Sequence, residues 1–158
     1  MAKYLLDTGI LLGFIRGSEY AKYAEGKYRL FDPQNEIYIS VVSIGEILSL
    51  AIQFDWGDAK KAILTRTINE IPWIDINNEE ILNRYAEIDA FCLNKNKAKP
   101  LPPGISAKIL QKNDLWIAST ASVLNAILVT IDKDFDLLLN EYLNVAYIEK
   151  SQKIENSI

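Results

Sequence analysis

The sequence predicts an α/β domain: a five-stranded parallel sheet with helices on both faces. Three observations lead there. Short apolar runs rich in β-branched residues alternate along the chain with stretches of helical periodicity. The runs are uninterrupted rather than alternating in polarity, as in strands buried on both faces. Finally, 158 residues, 49% of them hydrophobic, suit one domain that buries roughly 70% of its unfolded surface without disulfide or structural metal.

The elements follow in order. Tyr4-Leu5-Leu6 is a short buried strand, stopped by Asp7-Thr8-Gly9. Ile10 to Ile15 is a helix ended by Gly17-Ser18, Glu19 to Leu30 is helix or loop, and Asp32-Pro33-Gln34-Asn35 is a turn. Ile37 to Val42 is a second strand. Ser43, with Glu46 three residues on, has capping-box spacing and opens a helix carrying Ile44, Ile47, Leu48, Ala51 and Ile52 on one face. Asp55-Trp56-Gly57 interrupts it, and a further helix runs from Asp58 to Asn69. Ile71 to Ile76 is a third strand that Pro72 assigns to a sheet edge. Glu79 to Asn94 is an amphipathic helix. Lys95 to Lys112 holds three prolines and Gly104 and reads as an ordered loop or insertion, a length that is usually functional or mobile. Asn113 begins the next helix, Ala126 to Thr130 is a fourth strand, Phe135 to Leu139 a short helix, and Val145 to Ile148 the last strand. Residues 1–150 form the domain, and 151–158 a polar tail expected to fray.

Composition narrows the chemistry. The chain has no histidine and one cysteine, Cys92. Histidine-dependent triads, histidine acid–base catalysis and His/Cys zinc sites are excluded. Cys92, between apolar neighbours, reads as a buried small hydrophobe. A lone cysteine, no signal-like start and no apolar run of membrane-spanning length lead us to expect a cytoplasmic protein without membrane contact. The net charge of −4 gives no support to nucleic-acid binding. The charge is uneven, however. From Ala90 to Asn113 there is no acid, while Lys95, Lys97, Lys99, Lys108 and Lys112 all fall there. Together with Lys133 they are candidates for holding a phosphate backbone.

The remaining hard ligands are carboxylates, which suit Mg²⁺ or Mn²⁺. In an open parallel sheet, ligands bind at the carboxyl ends of the strands. Asp7 follows the first strand and Asp132 the fourth. Glu46, read as lying in the first turn after the second strand, and Asp114, opening the helix before the fourth, start at the same edge. Each alone also reads as a cap or turn residue. Their convergence points to a cation, because clustered carboxylates repel one another unless neutralised.

At these positions the sequence resembles the PIN-domain nucleases, most of all the VapC-type toxins of bacterial toxin–antitoxin pairs. The resemblance rests on Tyr4-Leu5-Leu6-Asp7-Thr8, Ser43-Ile44-Gly45-Glu46-Ile47, Asn113-Asp114-Leu115-Trp116-Ile117-Ala118-Ser119-Thr120-Ala121 and Leu128-Val129-Thr130-Ile131-Asp132-Lys133-Asp134-Phe135. It spans residue 3 to about 149. It implies a three-layer fold and Mg²⁺- or Mn²⁺-dependent cleavage of RNA by metal-activated water. Asp7, Glu46, Asp114 and Asp132 would be the catalytic and metal-holding quartet, with Thr130 and Asp134 as secondary candidates. It further implies a homodimer bound by a cognate antitoxin. One departure is Gly9, where the family commonly carries Asn. Rival readings are aspartyl-phosphate transfer, as in phosphatases or receiver domains, and a non-catalytic module that only binds RNA or protein. The first is disfavoured by the lack of a second Asp two residues after Asp7 and of an acidic pair near the first strand. The second leaves the cost of clustering carboxylates unexplained.

Overall fold

The computed structural model describes residues 1–153. The expected tail falls largely at residues 154–158, outside the described residues. Five strands, β1 (Lys3–Leu6), β2 (Glu36–Ser40), β3 (Trp73–Ile74), β4 (Ile127–Thr130) and β5 (Asn144–Tyr147), form one sheet in the order β3-β2-β1-β4-β5. Every pairing is parallel. The α/β class and five-stranded parallel sheet read from the sequence are what the chain adopts.

The helices are α1 (Thr8–Arg16), α2 (Glu19–Tyr28), α3 (Val41–Gln53), α4 (Asp58–Glu70), α5 (Glu79–Cys92) and α6 (Lys112–Leu124), with a 3₁₀ segment over Lys133–Leu138. Strand side chains alternate between faces and so divide the core in two. Tyr4 and Leu6 of β1 and Val129 of β4 join Ile10, Leu11, Ile47 and Leu64 on one face. Leu5 and Leu128 join Ile88, Phe91, Leu115, Ile117 and Phe135 on the other. This explains the unbroken apolar runs of the central strands β1 and β4, whose two faces are both covered.

The boundaries differ from expectation in three places. First, β2 stops at Ser40, and its hydroxyl, not that of Ser43, accepts from the Val42 N–H at the start of α3. Val41 and Val42 are β-branched, yet they enter the helix: tertiary placement overrides propensity there. Glu46 therefore sits in the second turn of α3, not the first, and takes no part in a capping box. Second, Leu48 and Ile52 of that helix are exposed, Ile52 at 81%, while Ser43, Ile47 and Ala51 are buried. Third, β3 is two residues long. Pro72 has no N–H to donate, but its carbonyl accepts from Ile39 N–H at 3.1 Å, and β3 lies at the sheet edge as the proline implied.

The segment between α5 and α6 is pinned at both ends. Leu101 and Leu110 are buried in the α5–α6 core. Leu101 N–H donates to Asn94 Oδ1, and Lys108 N–H to the Cys92 carbonyl. Pro102 to Ala107, between the pins, is exposed. Cys92 itself is buried and its thiol is pushed up to about 11, by burial first and then by Asp89, so it is an inert packing residue.

Candidate active site

The order in which strands are added reverses between β1 and β4: β2 and β3 extend to one side of β1, β4 and β5 to the other. That is the topological switch point, where a crevice opens beyond the strands' carboxyl ends. Asp7 ends β1 and Asp132 lies two residues past β4, so both flank the crevice.

Asp7 is 6% exposed. Its backbone N–H extends the sheet by donating to the Val129 carbonyl at 3.0 Å, which fixes where the side chain starts. It caps α1: Oδ1 accepts from Thr8 N–H at 2.7 Å, while Oδ2 accepts from the Thr130 hydroxyl at 2.6 Å. The Thr130 oxygen in turn accepts from Asp132 N–H at 3.0 Å. One buried hydroxyl thus links the first and fourth acids. Asp132 caps the 3₁₀ segment by accepting from Asp134 N–H at 2.8 Å.

Glu46 is held by a residue to which sequence reasoning gave no role. The Thr8 hydroxyl donates to Glu46 Oε1 at 2.8 Å and lies 2.9 Å from the Ser43 hydroxyl. The available signal was Thr8 itself, a hydroxyl directly after the strand-ending Asp7. Asp114 lies in the first turn of α6. Carboxylate oxygens of Asp114, Asp132 and Asp134 lie within 4.8 Å of one another. Asp134, a secondary candidate in the sequence, is thus one of the three most tightly grouped acids.

The electrostatics follow from burial and like charge. Asp114 is pushed up to about 7, first by burial and then by Asp7, Asp132, Glu46 and Asp134. Asp7 is also raised by burial, opposed by its hydrogen bonds from Thr130 and Thr8 and reinforced by Glu46 and Asp132. Asp114 thus feels the other three carboxylates and Asp134, and Asp7 feels Glu46 and Asp132. The donors are all hard carboxylate oxygens, the set that Mg²⁺ or Mn²⁺ takes.

The lysines divide. Lys108 Nζ is 2.7 Å from Asp134 Oδ1 and so lies at the acid cluster. Lys99 is bound to Glu141 at 3.0 Å and stands over the Tyr142 ring at 4.3 Å. Lys133 lies over the Tyr147 ring. Lys95, Lys97 and Lys112 are exposed. At Gly9, a Cβ would come within 2.8 Å of the Ile131 side chain, and Tyr20 donates to the Gly9 carbonyl at 2.9 Å. Ile131 fills the space that a larger residue would need.

The strand order also separates this chain from the receiver-like rival, whose doubly wound sheet runs 2-1-3-4-5. Among solved structures, the chain is similar to VapBC2 from Rickettsia felis bound to a promoter DNA fragment, with TM-score 0.73 and 22% identity over 93% of this chain and 99% of that one. It is similar to VapBC-1 from nontypeable Haemophilus influenzae, with TM-score 0.66 and 22% identity over 95% and 99%. It is also similar to a toxin–antitoxin complex from Klebsiella pneumoniae, with TM-score 0.62 and 22% identity over 90% and 95%. No curated protein matches the chain. Residues 4–138 match the PIN domain, and with the acids of its four sequence motifs grouped at the switch point, the chain belongs to the PIN-domain family.

Proposed function

We propose that the chain is a divalent-metal-dependent endoribonuclease and the toxin of a toxin–antitoxin pair. The observation that carries this reading is the carboxylate cluster: Asp114, Asp132 and Asp134 within 4.8 Å, with Asp7 tied to Asp132 through Thr130. Asp7, Glu46, Asp114 and Asp132 are the residues we assign to hold Mg²⁺ or Mn²⁺, with Asp134 beside them. When bound, such an ion makes hydroxide available from water near neutral pH and offsets charge on phosphoryl oxygens.

The chain's own residues do the positioning. Thr130 fixes one oxygen of Asp7 and the backbone of Asp132, and Thr8 fixes one oxygen of Glu46. Carboxylates held this way keep their separation when a ligand arrives, which is what in-line displacement at phosphorus requires. Lys108 places an ammonium at the rim beside Asp134, and exposed Lys95, Lys97, Lys112 and Lys133 can meet a phosphate backbone. Attack by water leaves 5′-phosphate and 3′-hydroxyl ends.

The partner assignment rests on the solved complexes to which the fold is similar, one of them a toxin with its antitoxin. From the family resemblance we also propose a homodimer, and from the lone cysteine a reducing, cytoplasmic location. No described helix is long and apolar enough to cross a membrane. Sequencing RNA 5′ ends in cells expressing the wild type beside Asp7→Asn tests the function. New ends with the wild type alone are expected, and identical end profiles contradict it.

A further inference from the structure

A groove of about 590 Å³ runs between α3 and α6, bordering the carboxylates. Gly45, Glu46, Ser49 and Gln53 of α3 face Asn113 and Trp116 of α6 across it. Its volume lies within the roughly 300–1,000 Å³ typical of small-molecule sites. The spacing of its α3 wall is that of one helix face. Glu46 is itself on the wall and Asn113 directly precedes Asp114, so the groove adjoins the acids on both helices.

The lining selects an occupant. Among the described residues, Glu46 is the only charged one lining it, and no Lys or Arg contributes. A phosphate or an acidic peptide would enter against that charge. What remains is an indole, two carboxamides, a hydroxyl and the apolar side chains of Val42, Leu50 and Ile76. Tyr85 of α5 stacks on the Trp116 ring, with centroids 4.1 Å apart and planes 31° from parallel, so the indole is braced. Gln53 Nε2 donates to Ser49 Oγ at 2.8 Å, which orients the amide and leaves its carbonyl oxygen to accept. A braced aromatic beside amides that both donate and accept is the lining that takes an unstacked nucleobase and reads its edge.

We propose that this groove is a base subsite: one unpaired base of a single-stranded RNA, next to the phosphate at the carboxylates, stacks against Trp116 while Asn113 and Gln53 hydrogen-bond its edge. This rests on the nuclease reading for the placement of the phosphate. Trp116 and Gln53 are specificity residues in this account and take no part in bond breaking. The site accepts single strands, since a base within a duplex cannot enter it.

Gly45 supplies a variant that keeps the fold. A Cβ there meets nothing within 4 Å, and the residue is exposed inside a helix. Gly45→Leu therefore improves helix propensity while filling the groove wall. The test is fluorescence anisotropy of an oligoribonucleotide, and of the same strand carrying one abasic site moved along it. Ca²⁺ replaces Mg²⁺, because its looser coordination disfavours turnover. With wild type, one abasic position is expected to weaken binding about tenfold, as base–aromatic stacking gives. With Trp116→Leu and Gly45→Leu that dependence falls below about twofold on the same scale. A flat abasic profile with wild type, or the same profile in all three proteins, overturns the proposal. Cleavage of the intact strand is measured alongside in Mg²⁺. Cleavage with a flat abasic profile sinks the subsite alone. The expected profile without cleavage supports the subsite and contradicts the nuclease reading.

Discussion

Thr130 is the residue on which the site's geometry turns. It is buried, donates to Asp7 at 2.6 Å and accepts from Asp132 N–H at 3.0 Å. Thr130→Val keeps its shape and removes both bonds. It leaves Asp132 N–H without its partner, a loss of about 1–3 kcal/mol. By analogy with residues that orient metal ligands, activity should drop roughly 10- to 100-fold. Denaturant unfolding and cleavage rates check the two figures, and an unchanged rate would show that the bridge is only structural. Asp114 sets a pH dependence. In the metal-free fold its carboxyl is pushed up to about 7 from an ordinary 3.8. An acid whose pKa is raised on folding binds its proton more tightly in the folded state. Its stabilising contribution is present below about pH 3.8 and is lost as pH rises through about 7. The Tm of the metal-free protein should therefore fall between pH 5 and pH 8, and Asp114→Asn should flatten much of that fall. Added Mn²⁺ should raise Tm more at pH 8 than at pH 5, since it binds the ionised form. A Tm that rises with pH in the metal-free wild type would contradict the crowding of these acids.

At the scale of elements, Asp7, Asp114 and Asp132 were legible because strand ends and helix starts are punctuated by local chemistry. The start of α3 was not. Ser40 and Ser43 are both competent caps, and Glu46 makes Ser43 the better local match. The choice was made by the third dimension: β2 ends where its neighbours β1 and β3 end, and Glu46 is drawn to Thr8 instead. Ser40→Ala should cost about 1 kcal/mol of stability as a lost cap. Ser43→Ala should leave the helix start intact and act instead on the Thr8–Glu46 contact, so it should alter metal response more than Tm. Thermal melts with and without Mn²⁺ separate the two. The segment 95–112 reads in the sequence as ordered loop or insertion, and its anchors, Leu101 and Leu110, carry no periodicity that could reveal them. Leu110→Ala should cost about 2–5 kcal/mol, the range for emptying a packed leucine site. The same segment delivers Lys108 to Asp134, which no sequence separation suggested. The pair is half-exposed and weak by itself. Lys108→Gln should still lower the Mn²⁺ concentration that gives half the maximal Tm shift, about two- to fivefold, because the ion no longer competes with an ammonium. No change in that midpoint would mean the lysine does not face the ion.

For the whole molecule, the sheet order places the switch point between β1 and β4, and this is why acids so far apart in sequence meet. The alternation of apolar runs and helical periods is enough to read the layers, since the central strands β1 and β4 are covered on both faces. It could not tell which acids crowd most closely. Asp134 joins Asp114 and Asp132 through the tight 3₁₀ turn that Asp132 caps, a local geometry that periodicity does not encode. The overall charge of −4 likewise says little about the partner, because the lysines and the acids that matter are placed locally. The central claim is that the carboxylates at this switch point cut RNA with a divalent ion. Its most direct test is purified protein with single-stranded RNA, followed by analysis of the product ends. The expected result is cleavage that requires Mg²⁺ or Mn²⁺, is abolished by chelator and by Asp7→Asn, and leaves 5′-phosphate and 3′-hydroxyl ends. Cleavage that survives chelation, persists in Asp7→Asn, or leaves 2′,3′-cyclic phosphate ends would contradict it.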